Sequence, residues 1–154
     1  MSQRAIAVVD LDNLLHRGAF KHSHTPRPQG VLDVKGLASA LKAAGVMGGA
    51  VCRNRAFPPF AQLLWESLGF KTISTGQNCD PEVMREVERQ VGCPGVDRVV
   101  LVAGDGDYRS TVRGLKARQF LVEVWGRQKS TSKKLAEEAD SVRWIDGLIE
   151  ISEC

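Results

Sequence analysis

The sequence predicts a single α/β domain across residues 1–154, a central, mostly parallel sheet of about five to six strands with helices on both faces. Three observations carry that prediction. Apolar runs and amphipathic stretches alternate along the chain, the pattern of successive βαβ units. The runs at 6–9 (IAVV) and 99–103 (VVLVA) have no polar alternation, as strands covered on both faces require. Glycine and proline punctuate the elements, as at Gly45, Pro58, Gly69 and Pro81. The composition, 43% hydrophobic and 25% charged, is that of a folded domain with a proper core.

Ala5–Val9 reads as the first strand and Leu11–Phe20 as a short helical piece. His22–Gly30 has two prolines and no apolar face, so it reads as a loop. Leu32–Ala44 is amphipathic, with Val34, Leu37, Ala38 and Leu41 on one side and Gly45 as its stop. Met47–Cys52 is a second strand, followed by Arg53, Asn54 and Arg55. Pro58–Gly69 is a helix with prolines in its first turn and glycine at its end. Phe70–Ser74 is a third strand and Thr75–Cys79 a polar loop. Pro81–Val91 is a helix with Val83, Val87 and Val91 as its buried stripe, Glu86 among its polar positions and Asp80 as its N-cap. Arg98–Val102 is the fourth strand, Tyr108–Arg118 a helix, Leu121–Trp125 the fifth strand and Thr131–Ala139 a helix. Val142–Ile145 supplies a last short strand, and Trp65, Trp125 and Trp144 read as core residues.

Asp10 and Asp12 follow the first strand, and Asp105 and Asp107 follow the fourth. Sites in open α/β sheets form outside the carboxyl ends of the strands. If these two strands are neighbours, the acids converge in one crevice, where they repel one another without a hard cation. The expected ion is Mg²⁺ or Mn²⁺, and the expected substrate is a phosphate ester. Asp80, entering from the end of the third strand, is a further ligand, with N-capping as its competing role. Asn13 is positioned to hold a carboxylate or a phosphate. The two glycines of GDGD let the backbone turn sharply. Ser132 and Lys133, with the hydroxyls and lysines around them, read either as a phosphate cradle at a helix start or as an ordinary solvated helix start. Arg53 and Arg55 could track a nucleic-acid backbone. The formal charge of +3 permits nucleic acid as a partner without requiring it.

Cys52, Cys79, Cys93 and Cys154 lack metal-binding spacing and read as reduced thiols of a cytoplasmic protein. His16, His22 and His24 read as solvated. The start MSQRAIAVVD runs straight into a strand, without the features of a signal peptide, and no apolar run reaches membrane-spanning length, so no membrane partner is expected.

These motifs resemble the NYN domains, a branch of the PIN-like nucleases that includes the LabA-like proteins. The elements occur in family order: VVDLDNL, an acid opening a helix at Asp80, VAGDGDY, VEVWG, then Ser132, Leu135, Ala139 and Asp140. Gln77-Asn78-Cys79 stands where the family often has a basic residue and a glycine. The resemblance implies a metal-dependent ribonuclease with RNA as its partner. Asp10, Asp80, Asp105 and Asp107 match the family's acidic pocket, and Asn13 and Ser132 match polar positions beside it. One cation would lie on Asp10, Asp105 and Asp80, with Asp107 and Asp12 completing a second site or orienting water. A homodimer would extend the short basic surface across two sites.

Two other readings compete. An RNA- or partner-binding module would keep the fold without turnover. A haloacid-dehalogenase-like phosphatase would use Asp10-x-Asp12 as nucleophile and acid. Against the phosphatase, Leu14 stands where that family expects Thr or Ser, no lysine sits in a clear third motif before GDGD, and no cap domain is expected.

Overall fold

The computed structural model describes residues 4–15 and 31–150. Its strands are β1 (Arg4–Asp10), β2 (Val31–Leu32), β3 (Val46–Arg53), β4 (Phe70–Ser74), β5 (Val96–Val102), β6 (Leu121–Gly126), β7 (Ser141–Trp144) and β8 (Ile149–Glu150). Its helices are α1 (Leu11–Leu15), α2 (Val34–Ala43), α3 (Pro59–Ser67), α4 (Asp80–Val91), α5 (Arg109–Ala117) and α6 (Lys133–Glu138). The main sheet has six strands in the order β4-β3-β1-β5-β6-β7, and every neighbouring pair is parallel.

Alternate residues of β1 feed two cores. Ala5, Ala7 and Val9 face α2 and α3 through Leu37, Leu41 and Trp65. Ile6 and Val8 face α4 and α5 through Val83, Val87, Val112 and Leu115. Period-two alternation makes this split automatic once a strand is central. Fully burying one such leucine or valine contributes about 1.5–3 kcal/mol. The chain winds outward from β1 through β3 to β4, returns to β5, then winds the other way. Winding therefore reverses between β1 and β5, and the register sets Val9 beside Val102. The two strands that carry the paired aspartates are neighbours at the reversal point, where sites in this class of sheet form.

Several sequence expectations shift. The helix expected from Leu32 starts at Val34, with Asp33 as N-cap, because Val31–Leu32 pair antiparallel with Ile149–Glu150. The helix expected from Thr131 starts at Lys133, and a 3-10 turn at Gly106–Tyr108 precedes α5. Trp65 and Trp125 are core residues, but Trp144 is 43% exposed on the edge strand β7. Glu86 is fully buried on α4, where Arg89, Lys71 and Gln90 surround its carboxylate. The expected loop His22–Gly30, residues 16–20 of the first helical piece, the three histidines and Cys154 lie outside the described residues.

Candidate active site

Asp10 is the last residue of β1 and only 2% exposed. One carboxylate oxygen accepts the Asn13 backbone N–H at 3.2 Å, and the other accepts the Tyr108 hydroxyl at 2.6 Å. Burial raises its pKa; the hydrogen bonds from Tyr108 and Asn13 oppose that rise, and nearby Asp12 and Asp105 add to it. Asn13 also reaches across the sheet, its Oδ1 accepting the Gly104 N–H at 2.6 Å.

Asp12 faces the site beside Asp10. Its Oδ2 accepts the Asn54 N–H at 2.5 Å and the Cys79 thiol at 3.1 Å. Its Oδ1 is buried without a hydrogen-bond partner. Cys79 is buried, and its thiol pKa is pushed up by desolvation and by the bond to Asp12. No sequence signal marks this cysteine, because it lies at no recognised metal-binding spacing.

Asp80 is not the N-cap of α4. Cys79 takes that position, and Asp80 is the first helical residue. Its carboxylate is therefore directed into the site, where Asp80 Oδ1 lies 3.0 Å from the Tyr108 hydroxyl. Burial first, then the charge of Asp105, push Asp80 up to about 7. Asp105 caps the 3-10 turn by accepting the Asp107 N–H at 2.9 Å, and Asp107 itself is exposed.

The acids fall into two sets. Oxygens of Asp80, Asp105 and Asp107 lie within 4.8 Å of one another, and so do ligand atoms of Asp10, Asp12 and Cys79. Tyr108 touches one member of each. The first set offers only carboxylate oxygens, the donor type Mg²⁺ and Mn²⁺ prefer. The second adds a sulfur and the unpartnered Asp12 oxygen. The residues present thus fit a divalent cation.

Gly104 and Gly106 serve a different purpose from the one their sequence suggests. A Cβ on Gly104 would come within 2.9 Å of the Thr131 backbone, and one on Gly106 within 2.9 Å of Ser132 Oγ. They leave room for the 130–132 segment to press against the acid loop. The Ser132 N–H donates to the Gly104 carbonyl at 2.8 Å, and Ser132 caps α6 through the Leu135 N–H at 3.4 Å. Lys133 follows, exposed in the first turn. Arg53 is partly buried at the end of β3, over the Phe57 ring, and Arg55 is exposed.

The fold and site define a doubly wound α/β protein with a carboxylate centre at its reversal point. The NYN domain profile matches residues 5–146, and the chain belongs to that family. NYN domains fall within the PIN-like nuclease superfamily, whose members are generally nucleases dependent on divalent metal. A solved protein of unknown function from Vibrio parahaemolyticus has the same fold, with a TM-score of 0.76, 21% identity and 96% of each chain covered. Among curated proteins, none matches this chain. Among the described residues, no helix is long and apolar enough to cross a membrane.

Proposed function

We propose that this NYN domain hydrolyses RNA phosphodiester bonds with Mg²⁺ or Mn²⁺. The observation that carries the reading is the pair of acid sets meeting at Tyr108, at the end of β1 and β5. Asp80, Asp105 and Asp107 would hold one cation, with Asp10 behind them. Asp12 beside Asp10 would help hold a second. When bound, such a cation polarises a phosphate oxygen and acidifies a water. Asp80, whose pKa burial pushes up to about 7, would give up its proton on holding a cation. Asn13 orients rather than binds substrate, since its Oδ1 is engaged by Gly104. Ser132 pins the start of α6 beside the acid loop, and Lys133 and Arg53 lie where they can meet neighbouring phosphates. The free thiols Cys52, Cys79 and Cys93 suit a reducing cytoplasm.

The phosphatase reading fits poorly. Both oxygens of Asp10 are engaged within the protein, which leaves no exposed nucleophile. That same engagement favours the binding module as the alternative, because Asp10 is satisfied without a cation.

Substitution of Asp10 or Asp105 by Asn tests the proposal. The expected result is folded protein whose Mn²⁺-dependent RNA cleavage falls at least about 100-fold. Parental cleavage rates in either folded variant would reject it. Calorimetry separates the module, which would take up no Mg²⁺ or Mn²⁺ at millimolar concentration.

A further inference from the structure

The chain contains one tyrosine, Tyr108. Its ring is fully buried in the core beneath α4 and α5. A phenylalanine would fill that space equally well; only the oxygen has polar work there. A buried phenolic oxygen needs polar partners, and here both partners are carboxylates, at 2.6 Å to Asp10 and 3.0 Å to Asp80. Asp10 lies in the set with Asp12 and Cys79, and Asp80 in the set with Asp105 and Asp107. One hydroxyl therefore joins the two sets, its single proton shared between them with the shorter bond to Asp10.

We propose that Tyr108 is a positioning residue for cation binding, its hydroxyl holding Asp10 and Asp80 at a fixed separation so that both sets present their ligand atoms together. The inference rests on the reading above, in which these acids hold a divalent cation. Tyr108 is not itself a ligand. It acts through the two aspartates, as outer-shell groups orient the carboxylates that bind metal. Without the hydroxyl, Asp10 keeps only its bond from Asn13, and Asp80 keeps its side-chain contact with Asp105 but loses its tie to Asp10.

Two measurements test this. In the first, the protein is labelled with 3-fluorotyrosine, which yields one ¹⁹F resonance because there is one tyrosine. Titration with Mg²⁺ is expected to move that resonance along the same isotherm that calorimetry records. In the second, Tyr108→Phe is expected to bind Mn²⁺ about 10- to 100-fold more weakly. Its RNA cleavage at saturating Mn²⁺ should recover toward the parental rate, a split between affinity and turnover that a merely structural role would not produce. A resonance unmoved at cation saturation, or equal Mn²⁺ affinity in folded Tyr108→Phe, would overturn the inference while leaving the functional reading intact. If the parent protein itself binds neither cation, both fall. Should Tyr108→Phe fail to fold, the fluorine resonance decides alone.

Discussion

Asn13 Oδ1 accepts the backbone N–H of Gly104 at 2.6 Å, a bond between residues 91 positions apart. It lies just past the last register pair of β1 and β5, Val9 with Val102, and so continues their pairing with a side chain. The Asn13 backbone N–H meanwhile donates to Asp10. One residue thus fixes both the first acid and the loop that carries Asp105 and Asp107.

Asn13→Ala should therefore destabilise the fold by about 1–3 kcal/mol, because it strands the buried N–H of Gly104. Urea denaturation measures the loss. The same variant should bind Mn²⁺ more weakly, since the acid loop loses its tie to β1. A change below about 0.5 kcal/mol, the usual range for surface substitutions, would mean that the bond contributes little.

Gly104→Ala should cost about 1–3 kcal/mol by overpacking. The added methyl meets backbone, the Thr131 Cα at 2.9 Å and the Ser130 carbonyl at 3.1 Å, so no rotation of a side chain relieves it. Gly106→Ala meets only the Ser132 side chain and should be milder in stability. It should still disturb the cap of α6. Thermal melts of the two variants, compared side by side, check this ordering.

Stability should depend on pH in a definite direction. Asp80 is held near 7, against 3.8 for an ordinary aspartate, and burial raises Asp10 as well. Between about pH 4 and pH 7 the native state holds protons that the unfolded chain has released, so stability falls as pH rises through that window. In the presence of a chelator, these groups should lower the melting temperature from pH 5 to pH 8. Saturating Mg²⁺ should remove the fall, because the cation favours the charged carboxylates. Its apparent affinity should rise about fivefold from pH 6 to pH 7 if Asp80 alone releases a proton. A pH-independent affinity from calorimetry would exclude that coupling.

The central sheet was legible because uninterrupted apolar runs admit few other folds. Gly45 and Gly69, at φ of 91° and 92°, end α2 and α3 as their sequence suggests. The β2–β8 pair was not legible, since each strand has two residues and depends on a partner more than a hundred positions away. Glu86 looked like a surface residue of an amphipathic helix. Buried, it is paired by Arg89 and Gln90 of its own helix and by Lys71, which arrives from β4. At the site, strand ends named the acids. The division of those acids into two sets depends on side-chain directions, and so does the link through Tyr108. An aromatic residue after Asp107 reads only as the start of a helix. Asp80 before a proline reads as an N-cap until the helix is seen to begin one residue earlier.

The basic side of the site yields a salt-dependence test. Ser132 is anchored to the Gly104 carbonyl, so Lys133 is carried to the edge of the acid loop rather than left on a remote helix. Arg109 and Arg113 are weaker candidates for RNA, because Glu138 already engages both. Lys133→Ala should weaken binding of single-stranded RNA and reduce the slope of log K against log salt by about 0.7, the amount for one phosphate contact. Because the lysine is exposed, its loss should leave the melting temperature almost unchanged. Binding is best measured in the Asp10→Asn background, where substrate survives. An unchanged slope with unchanged affinity would move the RNA path away from α6, toward Arg53 and Arg55 at the end of β3.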